Sequence, residues 1–280
     1  MWGSSITFQD YPLEPVLDLM AGLGFTRVEM WKQHLHRCRT AALREAFVQV
    51  SAAKGLAMGG LNVVGEDYYR PFGTQAEFDQ TLSGLTADVD YALSLGSRDV
   101  LVWEGIRPRE ASDSDCMTRL LPRLIDLFQR AIAYSAPKGV RFLVEPHPFT
   151  VGMSDELLVA LCDSLPPQSF GVTFDFCHYG VGRPDDYIRA VHRLGQRIRH
   201  IHFSDSDLQS SELHFAPGAG RMDLDGLLRA FVGIGFDGTM TLDLYGNPTP
   251  IEATRQSAPI VAQALHRLGI DSISRANRKG

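Results

Sequence analysis

Short apolar runs alternate with longer amphipathic stretches along the chain. The runs SITF (5–8), RVEM (27–30), LAMGGLNV (56–63), DVLVW (99–103), RFLVE (141–145), FGVTFD (170–175), IRHIHFS (198–204) and TMTLDL (239–244) have the length and residue types of buried strands. Between them, LEPVLDLMAGLG, AALREAFVQVSAAKG, FDQTLSGLTADVDYALSLG and MTRLLPRLIDLFQRAIAYSA repeat apolar residues with a helical period. Gly24, Gly55 and Gly96 stand just past the last periodic residue of three of these stretches, where a left-handed residue closes a helix. No linker rich in Pro, Gly or Ser breaks the alternation. Eight strand–helix units in roughly 250 residues are the dimensions of a (β/α)₈ TIM barrel, an α/β fold in one domain. A doubly wound open sheet competes, but it would place a Gly-rich nucleotide loop after its first strand, and FQDYPLEP stands there instead. The barrel is expected over residues 1–270, and the polar, basic stretch 271–280 as a frayed tail.

The chain has 280 residues, 44% hydrophobic and 21% charged, which is ordinary for a globular protein. Its formal net charge of −6 gives no electrostatic ground for binding nucleic acid or an anionic membrane. Cys38, Cys116, Cys162 and Cys177 are scattered, with no C-x-x-C pair. They read as reduced thiols in or near the core of a cytoplasmic protein. MWGSSITFQDYP has neither the basic nor the apolar region of a signal peptide. No apolar run approaches the ~18 residues of a membrane span.

In a barrel of this kind, functional side chains project from the C-terminal ends of the strands. RFLVEPHP (141–148) runs from apolar positions straight into Glu145; the sixth run ends in Asp175, the seventh holds His202 near its end, and the eighth carries Asp243. These residues are 30, 27 and 41 positions apart, about one βα unit each. Singly, each has an ordinary explanation: an acid at a strand end commonly caps a helix, and a histidine can be a satisfied near-core residue. Together they bring three carboxylates and an imidazole to one rim, where the anions would repel strongly without a cation. Oxygen-rich ligation with a single histidine suits one divalent ion, Mn²⁺, Mg²⁺ or Co²⁺, and Zn²⁺ also fits. His178, three residues after Asp175, and His147, two after Glu145, can face the same mouth as substrate contacts, as further ligands or as turn residues. Trp103 and Glu104 end the fourth run and would give the pocket an apolar wall and a polar edge, although a core tryptophan explains Trp103 as well. Arg221, after a Gly-Ala-Gly turn, is a candidate for an anionic substrate group, with an exposed arginine before the seventh helix as its plain alternative. Cys177 has no adjacent base and reads as a packing residue.

The ordered set VEPH, TFDFCHY, HIHFSD, HFAPGAGRMD and GFDGTMTLDLY resembles the xylose isomerase-like barrel family of sugar isomerases and epimerases. The opening SSITFQDYPLEPVLDLMAGLGFTRVEMW resembles its first βαβ unit, and the similarity runs from Ile6 to Leu268. It implies that Glu145, Asp175, His202 and Asp243 hold one divalent metal, Mn²⁺ first, and that His178 helps hold substrate. In the ketose 3-epimerase branch, two glutamates on opposite faces of the sugar carry protons. Glu145 matches the first. Asp243 takes the place of the second and reaches roughly 1 to 1.5 Å less far. The branch's substrate-binding arginine, six residues past the metal histidine, is replaced by Leu208.

The implied reaction is proton abstraction next to a carbonyl of a small keto-sugar or related polyol, through an enediolate, ending in isomerisation or epimerisation. Departure of a β-hydroxyl instead would dehydrate an inosose- or dehydroshikimate-like substrate, with His147 placed to protonate the leaving group. Two other readings share the fold. One is an abasic-site endonuclease with three zinc ions: Glu212 and His214 stand where such enzymes place an Asp-x-His pair, but the third and fourth strand ends add no histidine ligand. The other is a binding protein that keeps the barrel without catalysis. Barrels of this kind often pair, so a homodimer is the assembly to test.

Overall fold

A computed structural model of the chain describes residues 1–36 and 38–269. Eight parallel strands close into a barrel in sequence order: β1 (Trp2–Ser4), β2 (Arg27–Trp31), β3 (Ala57–Asn62), β4 (Asp99–Val102), β5 (Arg141–Val144), β6 (Phe170–Asp175), β7 (Ile198–Phe203) and β8 (Thr239–Leu242). Helices pack around it in a single domain, so the alternation of short and long apolar patterns folds as a TIM barrel. Gly24, Gly55 and Gly96 take φ values of 81°, 78° and 78° and end their helices as the pattern requires. Helix Gln75–Ser94 begins with a capping box: Thr74 accepts from the Glu77 amide, and the Glu77 carboxylate accepts from the Thr74 amide at 2.7 Å. No described helix is long and apolar enough to cross a membrane.

The first strand is displaced from its expected place. Residues 2–4 enter the ladder, Gly3 pairing with Val28 on one side and Leu242 on the other, while Ile6–Phe8 forms a 3₁₀ turn. A Cβ at Gly3 would lie 3.1 Å from the Met20 and Phe25 side chains, which would have to shift slightly to admit one, so the strand runs close to the first helix. Beyond Ser5 the chain leaves the ladder, and the Thr7 hydroxyl accepts from the Leu244 amide at 2.9 Å. That contact ties the first unit of the barrel to the last. Other strands end one or two residues earlier than their apolar runs, so Trp103, Glu145 and Asp243 open loops at the C-terminal rim. The tail expected over 271–280 lies outside the described residues.

TIM barrels usually fill their interior with layers of branched apolar side chains. This one has a polar layer. Glu29 from β2, Asn62 from β3, His200 and His202 from β7 and Thr241 from β8 meet inside, none more than 2% exposed. Outside the barrel the packing is aromatic. Phe231, on helix Leu224–Gly233, meets Phe174, Phe176 and Phe236 at ring-centroid distances of 5.5, 5.8 and 5.4 Å. Phe231→Ala removes the member common to all three contacts and is expected to lower stability by about 3–5 kcal/mol. A urea titration at unchanged slope measures this, and a loss under about 1 kcal/mol would show that the cluster relaxes around the cavity.

Candidate metal centre and substrate cavity

The centre is built on Glu29. Its carboxylate takes His202 Nε2 at 3.0 and 3.2 Å, His200 Nε2 at 3.0 Å, the Thr241 hydroxyl at 3.1 Å and the Asn62 amide at 3.4 Å. Burial alone would raise the pKa of this carboxyl, but the charges and hydrogen bonds of His202 and His200 hold it well below the usual range. An anionic Glu29 holds the hydrogen-bearing Nε2 of His202 downward and turns Nδ1 up toward the barrel mouth.

Around that Nδ1 stand Glu145 Oε1 at 2.5 Å, Asp243 Oδ2 at 3.4 Å and Asp175 Oδ2 at 3.5 Å. The four donor atoms all lie within 4.8 Å of one another, in a buried cluster. Neither His202 Nδ1 nor Asp175 Oδ2 has a well-directed hydrogen-bond partner. Ligands bound at about 2.0–2.2 Å to one ion sit roughly 3–3.5 Å apart, and three buried carboxylates in contact need a positive charge among them. The residues therefore fit a divalent cation. Among the carboxylates, burial pushes Asp243 up to about 6 against the pull of His202 and His214. Asp175 stays far below its usual value: burial raises it, and His178, His214 and His202 outweigh that.

Local structure aims each donor. Asp175 is the N-cap of helix Phe176–Gly182, and its Oδ1 accepts from the His178 amide at 2.8 Å, leaving Oδ2 for the centre. The two explanations open for an acid at this strand end thus fall on different oxygens of one carboxylate. Asp243 uses Oδ1 in the same way, accepting from the Tyr245 amide at 3.2 Å and the Thr7 hydroxyl at 3.5 Å. Glu145 carries the β5 ladder one step further, its amide donating to Val102 O at 2.9 Å.

Above the cluster lies a cavity of about 140 Å³ whose walls include Trp31, Trp103, Glu145, His147, His178, Glu212, His214 and Asp243. His147 is buried, its Nε2 2.8 Å from Glu212 Oε1 and its ring against Phe149, His178 and Trp103 at 3.7, 4.2 and 5.2 Å between centroids. Burial lowers the pKa of His178 to about 4, against the opposing charges of Asp175 and Glu145. His147 Nδ1, His178 Nδ1, His214 Nε2 and Trp103 Nε1 are all buried without a hydrogen-bond partner. They leave unused hydrogen-bonding capacity in and behind the cavity wall.

Two residues expected in the pocket are not among its walls. Glu104 is fully buried and accepts from the Gly152 amide at 2.5 Å, drawn sideways between the β4 and β5 loops. Arg221 is exposed; its backbone amide reaches Ser206 O at 2.8 Å, and its side chain stays outside the cavity. Leu208, in the position of the expected arginine, holds a left-handed φ of 65°. Asp205, which follows His202 closely, takes no part in the cluster: its carboxylate accepts from the amides of Ser206, Gly218, Gly220 and Met222 and fixes the loop after β7. Glu29, Asn62 and Trp31 escaped the sequence reading. Glu29 left one signal, an acid set between the apolar Val28 and Met30 in the strand RVEMW.

The family model for the xylose isomerase-like TIM barrel matches residues 17–264. The chain belongs to that family. Two curated relatives are fructoselysine 3-epimerases. The one from Shigella flexneri is 24% identical over 245 residues, 84% of this chain and 86% of that protein. The one from Escherichia coli O157:H7 is 29% identical over 126 residues, and there this chain spans under half of the relative, 45%. Among solved structures, D-psicose 3-epimerase with D-tagatose from Clostridium cellulolyticum H10 superposes with a TM-score of 0.77 at 12% identity, over 95% of this chain and 98% of that one. The IOLI protein with a binding zinc atom gives 0.71 at 16% identity, over 97% and 99%. These two share the fold.

The buried Glu104 yields a pH prediction. Burial pushes its carboxyl up to about 7, against hydrogen bonds from Thr150 and Gly152, with the Glu145 charge adding to the rise. A raised carboxyl favours folding below its unfolded pKa of about 4.3 and withdraws that support as pH climbs toward the folded value, by roughly 3 kcal/mol in all. Glu104→Gln keeps the acceptor and removes the titration. The variant should therefore gain stability over the parent by about that amount between pH 5 and pH 8 in paired urea titrations. Equal pH dependence in the two proteins would refute the assignment.

Proposed function

We propose that this chain is a divalent-metal-dependent isomerase or epimerase of a keto-sugar or related polyol. The observation that carries the reading is the convergence of Glu145, Asp175 and Asp243 on the upward nitrogen of His202, under a cavity whose walls include His147, His178 and His214. Its relatives are sugar epimerases. Glu145, Asp175, His202 and Asp243 are the residues that would hold the ion, Mn²⁺ first among Mg²⁺, Co²⁺ and Zn²⁺. Bound there, it supplies Lewis-acid polarisation of the substrate carbonyl.

The chain's own groups do the rest. Glu145 takes the proton from the carbon beside the carbonyl, the C–H electron pair becomes the double bond of an enediolate, and the carbonyl oxygen takes up the charge. A proton returned to the opposite face from Asp243 completes epimerisation. Returned by Glu145 to the former carbonyl carbon, while the proton of the adjacent hydroxyl passes to the old carbonyl oxygen, it completes isomerisation. His147 and His178 orient substrate hydroxyls from the wall, with Glu212 holding the His147 ring and Trp103 covering it.

One observation favours a second reading. A buried imidazole two residues from Glu145, braced by a carboxylate, is the arrangement of a general acid. With a substrate carrying a β-hydroxyl, His147 would protonate the departing oxygen and the product would be a dehydrated enone, read by its ultraviolet absorbance.

Elemental analysis of the purified chain is expected to find about one divalent ion per chain and none in His202→Ala. Absence of metal after exposure to Mn²⁺, Mg²⁺, Co²⁺ and Zn²⁺ would end this reading. Glu29→Gln keeps the shape but weakens the anchor of His202, and should lower affinity for Mn²⁺ about 10- to 100-fold in calorimetric titration. Glu145→Gln should slow exchange of the carbon-bound proton of D-fructose or D-psicose with deuterated solvent by about 10²-fold or more. An unchanged exchange rate would remove Glu145 from the proton transfer, and no exchange in the parent with any ketose would favour a binding protein.

A further inference from the structure

Two cavities meet at the mouth of the barrel. The inner one, over His202, measures about 140 Å³, and an outer one of about 360 Å³ lies between the loops after β3 and β4. Val64, Gly65 and Trp103 line both and form the partition between them. Val64 is gripped through both of its backbone polar groups. Its N–H donates to Asn62 Oδ1 at 2.9 Å, and its carbonyl accepts from the Trp31 indole Nε1 at 3.2 Å. Trp31 and Asn62 are themselves neighbours in the β2–β3 ladder, and both line the inner cavity.

The other arm of Asn62 points inward, where its Nδ2 donates to Glu29 Oε1 at 3.4 Å. Only one orientation of the carboxamide serves both partners, because the Val64 N–H can only donate and an anionic Glu29 can only accept. Asn62 is buried and so spans two fixed points: the carboxylate that orients His202, and the backbone that divides the cavities.

We propose that Asn62 is a positioning residue for substrate, acting through Val64: it holds the partition in register with the His202 imidazole and so fixes a wall against which a ketose lies. The proposal rests on the keto-sugar reading for the identity of that ligand. Without Asn62 the Val64 N–H loses its partner, and the backbone is free to turn toward the outer cavity, which has space to receive it. The inner cavity then opens into the outer one. Below it, Glu145, Asp175, His202 and Asp243 keep their places, so affinity for substrate falls while the chemical step does not slow.

Solvent exchange of the carbon-bound proton of D-psicose, followed against ketose concentration at saturating Mn²⁺, gives KM and kcat separately. Asn62→Leu is expected to raise KM about tenfold with kcat within about threefold of the parent. Asn62→Asp keeps an acceptor for Val64 and should hold KM within about threefold of the parent. Trp31→Phe releases the other grip and should raise KM in the same sense. The double variant Asn62→Leu, Trp31→Phe should show less than the product of the single effects, because both act on one residue's backbone. A full product means two independent substrate contacts and overturns the proposal, as does an unchanged KM in Asn62→Leu. Amide hydrogen exchange at Val64, read by NMR, checks the grip without substrate. It should run about tenfold faster in Asn62→Leu and at the parent rate in Asn62→Asp, with the β3–β4 ladder protected in both as the sign of a folded barrel. Equal Val64 protection in all three proteins also overturns the proposal. Absence of proton exchange with every ketose in the parent counts against the keto-sugar reading, and Val64 protection then decides whether Asn62 holds the partition.

Discussion

The contact on which the upper half of this molecule depends is the one between Glu29 and His202, out of reach of water inside the barrel. A buried carboxylate is stable only when donors surround it, and three strands supply them here: Asn62 from β3, His200 and His202 from β7 and Thr241 from β8, around Glu29 of β2. His200 is braced in turn by the Thr239 hydroxyl at 2.7 Å. The barrel gives up apolar filling for this layer and gains an imidazole that can face in only one direction. Everything above it, the three carboxylates and the cavity they floor, takes its orientation from that ring.

The remaining parts divide the barrel into unlike halves. β5 to β8 carry the charged residues of the centre, each aimed by a backbone amide or hydroxyl on its other oxygen or by the strand ladder itself. The end of β2 and the loops after β3 and β4 carry Trp31, the 63–73 segment and Trp103, which form walls of the cavities. One half can therefore vary the shape of the walls without disturbing the charged cluster on the other. Such separation is available to a closed barrel because each loop is anchored on its own strand.

Much of this was legible in the sequence because barrel chemistry announces itself one strand end at a time. Glu145, Asp175, His202 and Asp243 each interrupt an apolar run at the spacing of a βα unit, and the fold brings them together. What was hidden had physical reasons. SITF looks more like a strand than WGS does, yet residues 2–4 pair in the ladder, with Gly3 running close beside Met20 and Phe25. Glu29 was obscured because the inward face of a barrel strand is expected to be apolar, and no local pattern reveals partners 171 and 173 residues away. Glu104 stands at a strand end as a pocket residue would, and only the distant Gly152 amide explains why it turns aside. Arg221 follows a tight turn, but Asp205 gathers the loop's amides and leaves the guanidinium in solvent.

Asp175 divides its labour between two atoms. One oxygen holds the first turn of the helix Phe176–Gly182 through the His178 amide; the other faces the centre. The two oxygens share one delocalised charge, so electron density drawn toward one is lost to the other. A backbone proton is thereby wired to the cluster through a single carboxylate. The amide resonance of His178 should serve as a built-in gauge of how much positive charge the centre holds, readable without any substrate present.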